Sequence, residues 1–179
     1  MNTEITALLK KGNFYAGIGS RQTPADIMAF MTEIARYLEK KGLILRSGGA
    51  AGSDSAFEKG VQNPKYKEIY LPWKGFNGRI SPLHSYLPKH EEIARRFHPA
   101  WERLSRGAKA MMIRNTAQMF GMDFTTPSAF VICWTPGGQI TGGTGQALRI
   151  AIEYHIPIYN LFDKEVQDMF RQLIDEKTT

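Results

Sequence analysis

Short apolar runs bounded by turn residues recur along the chain. They occupy positions 14–19, 43–45, 67–71, 129–134 and 157–161. Runs of this length that end at glycine, proline or small polar residues are typical of buried β-strands. The pattern therefore predicts five strands.

Between these runs, apolar residues recur every three or four positions, which is the helical period. After the first run, Thr23 is placed to cap a helix, Pro24 suits its first turn and Gly42 follows its end. The apolar face of this helix comprises Ile27, Met31, Ile34 and Leu38. Further helical segments are predicted at 5–9, 56–61, 91–97 with an extension over 101–104, 108–120, from 146 onward, and 166–174.

Strands that alternate with helices predict an α/β fold. Right-handed crossovers make it a Rossmann-like open, mostly parallel sheet of about five strands with helices on both faces. We expect residues 1–179 to form one domain, since this length is within the usual range. In such sheets the ligand site lies beyond the carboxyl ends of the strands, where the winding reverses.

A glycine-rich turn joins the fourth predicted strand to the next helix. Its candidate ligand-binding residues are Pro136, Gly137, Gly138, Gly142, Gly143, Thr144, Gly145 and Gln146. Glycines let backbone N–H groups approach an anion, and the positive end of a helix dipole attracts it. The turn is thus a candidate phosphate cradle that needs no metal or cofactor; the alternative is an ordinary tight connection.

Two further loops end at the same predicted edge of the sheet. The first contributes the candidates Gly19, Ser20 and Arg21, and the second contributes Ser47, Gly48, Gly49 and Asp54. Asp54 is placed either to cap the following helix or to accept hydrogen bonds from ribose hydroxyls. We expect all three loops to converge on one cleft.

Residues 73–89 form a long loop rich in glycine, proline and aromatic residues. Such loops usually contact a ligand or cover a site. Trp73, Phe76, Lys74 and Arg79 suit the stacking of a base and the binding of its phosphate. The alternative is that the loop packs its aromatic residues against the edge of the sheet.

The formal charge of +6 and the pI near 9.5 favour anionic partners. Cys133 lies in an apolar run and is expected to be a core residue, and the four histidines lack metal-ligand spacing. With no signal segment and no membrane-spanning run in the sequence, we expect a cytoplasmic protein with no membrane partner. We also expect a homo-oligomer.

Four motifs in order resemble the DprA/Smf Rossmann domain and the related LOG-type phosphoribohydrolases, which belong to the SLOG superfamily. They are Gly19-Ser20-Arg21, residues 47–54, Arg114-Asn115 and residues 142–147, the last preceded by Pro136-Gly137-Gly138. The resemblance covers about 14–161 and suggests a small stand-alone DprA-like member. It implies a parallel sheet that binds nucleotides, nucleotide-derived signals or, in DprA, single-stranded DNA.

The chain departs from the LOG pattern at its catalytic position. Ala147 stands where those enzymes have a glutamate, and the turn before it is longer. Alanine cannot protonate a leaving base, so cleavage by the family mechanism is not expected. The remaining candidates for a catalytic role are Asp54, Glu58 and Arg114.

Three hypotheses follow. The first is a protein that binds a nucleoside phosphate or nucleotide-derived signal, with the phosphate near Gly143 and on Arg21 or Arg114. The second is a DprA-like protein that binds single-stranded DNA in the same cleft and on the aromatic loop. The third is a LOG-like nucleotide N-glycosidase with a relocated acid.

Overall fold

The computed structural model describes residues 2–176 and contains one five-stranded sheet. The strands are β1 (Phe14–Gly17), β2 (Ile44–Ser47), β3 (Lys67–Ile69), β4 (Phe130–Cys133) and β5 (Ile158–Asn160). Every pairing is parallel, in the order β3-β2-β1-β4-β5. The predicted α/β fold is confirmed.

The helices are α1 (Asn2–Leu8), α2 (Ala25–Lys40), α3 (Ser53–Gly60), α4 (Pro88–Arg96), α5 (Arg106–Phe120), α6 (Gly142–Glu153) and α7 (Lys164–Asp175). Three details differ from the sequence prediction. Pro24, not Thr23, is the N-cap of α2. Trp101–Arg103 is a separate 3-10 turn rather than an extension of α4, and α6 begins at Gly142 rather than at 146.

Helices cover both faces of the sheet, because alternate residues of each strand point to opposite sides. Tyr15, Phe130 and Ile132 pack with the apolar faces of α2, α3 and α7. Val131 and Cys133 pack on the other side, with residues of α4, α5 and α6. Cys133 is a core residue as expected, and burial raises the pKa of its thiol to about 12.

The direction of winding reverses between β1 and β4. The chain runs outward from β1 through β2 to β3, then crosses the sheet to β4 and continues to β5. The loops after β1 and β4 therefore leave in opposite directions and open a crevice between them. Within residues 2–176, no helix has the length and apolar character needed to cross a membrane.

Candidate functional site

A cavity of about 480 Å³ lies at this crevice. Its walls come from the loops after β1, β2 and β4 and from one side of α5. The candidates from sequence that line it are Gly19, Ser20, Arg21, Asp54, Arg114, Asn115, Pro136, Gly142, Gly143 and Thr144. The volume is within the range of small-molecule sites, about 300–1,000 Å³.

The side chain of Thr23 ties the first two loops together. The Thr23 hydroxyl donates to the carbonyl of Ser20 at 2.7 Å and lies 2.7 Å from the hydroxyl of Ser53. Thr23 is therefore committed to joining these loops, which explains why it does not cap α2.

Helix α5 holds the second loop through a buried ion pair. The Nη1 atom of Arg114 lies 3.2 Å from Oδ2 of Asp54, and both side chains are almost fully buried. The same oxygen accepts a hydrogen bond from the backbone N–H of Ala50 at 3.3 Å. Burial raises the pKa of Asp54, an effect that the Arg114 charge and the hydrogen bond from Ala50 oppose.

Gly48 is required by this ion pair. A Cβ atom at position 48 would overlap the guanidinium of Arg114. The space that the sequence suggested for a phosphate is therefore filled by a side chain of the protein itself. Arg114 lines the cavity and Gly48 does not, so the positive charge of Arg114 lies closer to a ligand there than the backbone at position 48 does.

The adjacent Asn115 holds the third loop. Its Nδ2 atom donates to the carbonyl of Gly143 at 3.0 Å and to Oε1 of Gln146 at 3.2 Å. These bonds fix the first turn of α6 against α5. Thr141, the N-cap, makes no side-chain bond to that turn, so the first N–H groups of α6, which belong to cavity-lining residues, have no side-chain cap.

Glu58 serves a different purpose from the one considered from sequence. Its Oε1 atom accepts hydrogen bonds from Ser47 at 2.9 Å and from the N–H of Gly49 at 3.0 Å. Its Oε2 atom lies 2.5 Å from Nη1 of Arg79. Burial raises the pKa of Glu58. This carboxylate supports the second loop from below and does not line the cavity.

Several candidates lie near the cavity without lining it. They are Ser47, Gly48, Gly49, Glu58, Gly137, Gly138, Gly145 and Gln146. Most of them shape the loops that carry the lining residues. Gln146 is fully buried behind Asn115, so it is a support of that side chain.

Other lining residues were not among the binding candidates named from the sequence, although Ala50 and Ala147 lie within its recognised motifs. They are Ile18, Gln22, Ala50, Met111, Met112, Gln118, Thr135, Thr141 and Ala147. Met111 and Met112 were interpreted as core residues; Met112 is buried, and both also line the cavity. Helical spacing from Arg114 was the signal available, because Met111 and Gln118 lie on the same face of α5.

Two buried nitrogen atoms of lining residues have no hydrogen-bond partner among the described residues. They are Nε of Arg114 and Nε2 of Gln118. Unpaired buried donors cost free energy, and because both atoms are buried this cost belongs to the packing around α5 and not to a ligand contact. Over the same residues, no cluster of three or more His, Cys, Asp or Glu side chains suits a metal ion.

Comparison with known proteins identified similar structures but no similar sequences. No protein-family model and no curated protein matches the sequence. DNA processing protein A from Helicobacter pylori, a structure described for its single-stranded DNA binding mode, has a TM-score of 0.50 and 18% identity, covering 96% of this chain and 84% of that one.

DNA processing protein A (DprA) from Streptococcus pneumoniae has a TM-score of 0.48 and 16% identity over 94% of this chain. The match covers 58% of that longer protein. The Helicobacter protein is a DprA protein, in agreement with the motifs recognised in the sequence. At this level of identity, the likeness to the Helicobacter protein shows that the chain has the Rossmann-like fold of DprA.

Proposed function

We propose that the protein binds single-stranded DNA and holds one nucleotide of the strand in the cavity between the β1 and β4 loops. The phosphate lies on Arg21 and on the first N–H groups of α6. Arg114 and Gln118 line the wall of the cavity that the nucleotide faces. The bound strand continues out of the open side of the cavity.

The observation that carries the proposal is the state of Arg21. This residue is exposed and lines the cavity, and its Nη2 atom lies 3.8 Å from the sulfur of Met111. In the described part of the chain, no carboxylate forms an ion pair with it. Arg21 is therefore a cation without a carboxylate partner that lines the same cavity as the first turn of α6, and a cation and a helix N-terminus together suit a phosphate.

Two further observations favour DNA as the ligand. The Helicobacter protein, which has the same fold, is described as binding single-stranded DNA. The chain also has a net charge of +6, which attracts a polyanion more strongly than a single nucleotide.

A free nucleoside phosphate is the second candidate, and the size of the cavity favours it. The volume of about 480 Å³ suits one small ligand, and the buried residues Ile18, Thr135 and Ala147 contribute to its walls. In this case Asp54 would accept hydrogen bonds from the ribose, because this residue also lines the cavity.

The dependence of binding on salt separates the two candidates. We expect a labelled oligonucleotide of about 20 thymidine nucleotides to bind in a salt-dependent way. The logarithm of its binding constant should fall with the logarithm of salt concentration with a slope steeper than about −3, since each neutralised phosphate contributes about −0.7. Arg21→Ala should weaken binding about 10- to 150-fold and make the slope less steep by about 0.7. Fluorescence anisotropy titrations at salt concentrations of about 50 to 300 mM measure both the affinity and the salt slope.

Lys65→Ala is the matched control, because Lys65 is an exposed cation just before β3. It therefore lies at the amino ends of the strands, whereas the cavity lies at their carboxyl ends. It should leave the affinity near that of the parent. A slope shallower than about −1, with full competition by mononucleotides, would instead support the free nucleoside phosphate.

Base release is not expected. Ala147 is buried in the cavity wall, and Asp54 is held by Arg114 and Ala50. Neither group is suited to protonate a leaving base. Chromatography of nucleoside 5′-monophosphates after long incubation should show no free base. Release that disappears in Asp54→Asn would contradict this and assign a hydrolase with a relocated acid.

A further inference from the structure

The long loop between β3 and α4 is anchored beside the cavity. Arg79 pairs with Glu58 at 2.5 Å, and Asn77 donates from Nδ2 to the carbonyl of Gly49 at 3.1 Å. Both partners belong to the β2–α3 region, which also provides part of the cavity wall. The position of this loop is therefore tied to the position of the site.

One aromatic residue of the loop packs inward and the other remains exposed. Phe76 is buried, whereas Trp73 keeps 44% of its surface exposed. The two rings meet edge to face at 86° with centroids 5.0 Å apart. Phe76 therefore packs against the protein, which is one of the two alternatives drawn from the sequence, and its ring contacts that of Trp73.

Helix α5 connects Trp73 to the cavity. A Cβ atom at Gly107 would lie 3.8 Å from Cζ3 of Trp73, so the indole rests against the helix at a position without a side chain. Met111, one turn further along, lines the cavity. That turn corresponds to about 6 Å along the helix axis. Trp73 therefore lies just outside the cavity on the same side of α5.

Two exposed cations adjoin the indole in sequence or on the helix. Lys74 follows Trp73, and Arg106 precedes Gly107. Over residues 2–176, neither of them pairs with a carboxylate. An exposed aromatic ring, with one unpaired cation next to it in sequence and another next to the helix residue it packs on, suits a base and its phosphates.

We propose that Trp73 stacks on a second base of the strand whose neighbouring nucleotide occupies the cavity. This inference rests on the proposed binding of single-stranded DNA and extends the site along α5. Removal of an aromatic ring that stacks a base weakens binding about 5- to 150-fold. Since a mononucleotide fills only the cavity, its binding should not depend on Trp73.

The test measures the affinities of Trp73→Ala, Trp73→Phe and Ile80→Ala for two ligands. One is the oligonucleotide of thymidine nucleotides used above, and the other is thymidine 5′-monophosphate. Ile80 is a matched control, because it is fully exposed in the same loop. Trp73→Ala should lose about 5- to 150-fold in affinity for the oligonucleotide and keep the parent's affinity for the mononucleotide. Trp73→Phe should retain most of the affinity, and Ile80→Ala all of it.

Tryptophan fluorescence provides an independent readout. The oligonucleotide should quench emission in the parent and quench it less in Trp73→Phe, where Trp101 and Trp134 remain. Equal quenching in both, or full oligonucleotide affinity in Trp73→Ala, would overturn the inference while leaving DNA binding intact. An equal loss for both ligands would also overturn it, since Trp73 would then shape the cavity. A parent that does not bind the oligonucleotide refutes the proposed function itself.

Discussion

Gly143→Asp is expected to weaken the binding of DNA and nucleotides at least about 100-fold, because a like charge placed against a ligand phosphate costs several kcal/mol. Gly143 lies in the first turn of α6 and lines the cavity. A carboxylate there would also accept hydrogen bonds from the first N–H groups of α6, where the phosphate is proposed to bind. The same charge favours the N-terminal end of a helix by about 0.3–1 kcal/mol, so the free energy of unfolding should not fall.

The space around Gly143 allows this substitution. A Cβ atom would meet only the Cε of Met112, at 3.3 Å, which is the end of a flexible side chain. At Gly145, in contrast, it would meet the backbone of Ile140 at 2.7 Å. Gly143→Asn is the matched control of similar size without the charge. Anisotropy titrations that show Gly143→Asp and Gly143→Asn binding equally well would rule out the phosphate position.

Arg114→Ala is expected to lower the free energy of unfolding by about 3–5 kcal/mol, because it leaves a buried carboxylate without its partner. Asp54 is 4% exposed and lies 3.2 Å from the lost guanidinium. The pKa of Asp54, which burial already raises, should rise further once the arginine no longer opposes the effect. Urea unfolding at neutral pH measures the loss of stability.

A double-mutant cycle isolates the ion pair from the packing of the two side chains. Asp54→Ala together with Arg114→Ala removes both charges, so the double variant should lose less stability than the sum of the single changes. Additive losses would show that Arg114 acts only through packing. A loss below about 1 kcal/mol in Arg114→Ala would contradict its role in holding the second loop.

The strands and the edge that carries the site were predictable because they depend on local pattern. Parallel strands buried on both faces need nearly continuous apolar runs, such as Phe130–Cys133. The loops after those runs must lie at one edge of the sheet. The order β3-β2-β1-β4-β5 then places the crevice between the loops that begin near Ile18 and Thr135.

The start of α6 was predicted incorrectly because glycine has a low intrinsic helix propensity. Gly142, Gly143 and Gly145 suggested a turn, yet they form the first turn of the helix. Asn115, on a different helix, holds the carbonyl of Gly143 and stabilises that turn. Local propensity was overridden by a contact between residues 28 positions apart.

The local pattern of residues was enough to predict the parallel α/β sheet, the edge where three loops meet and the residue types suited to an anion. The packing of distant elements was needed to show that Arg114 pairs with Asp54 across 60 positions, that Glu58 supports a loop, and that Gln118 lines the cavity. The difference lies in the separation along the chain over which each interaction acts. Periodicity and turn chemistry act between neighbouring residues, whereas a buried ion pair depends on which distant side chains the packed helices bring within hydrogen-bonding distance.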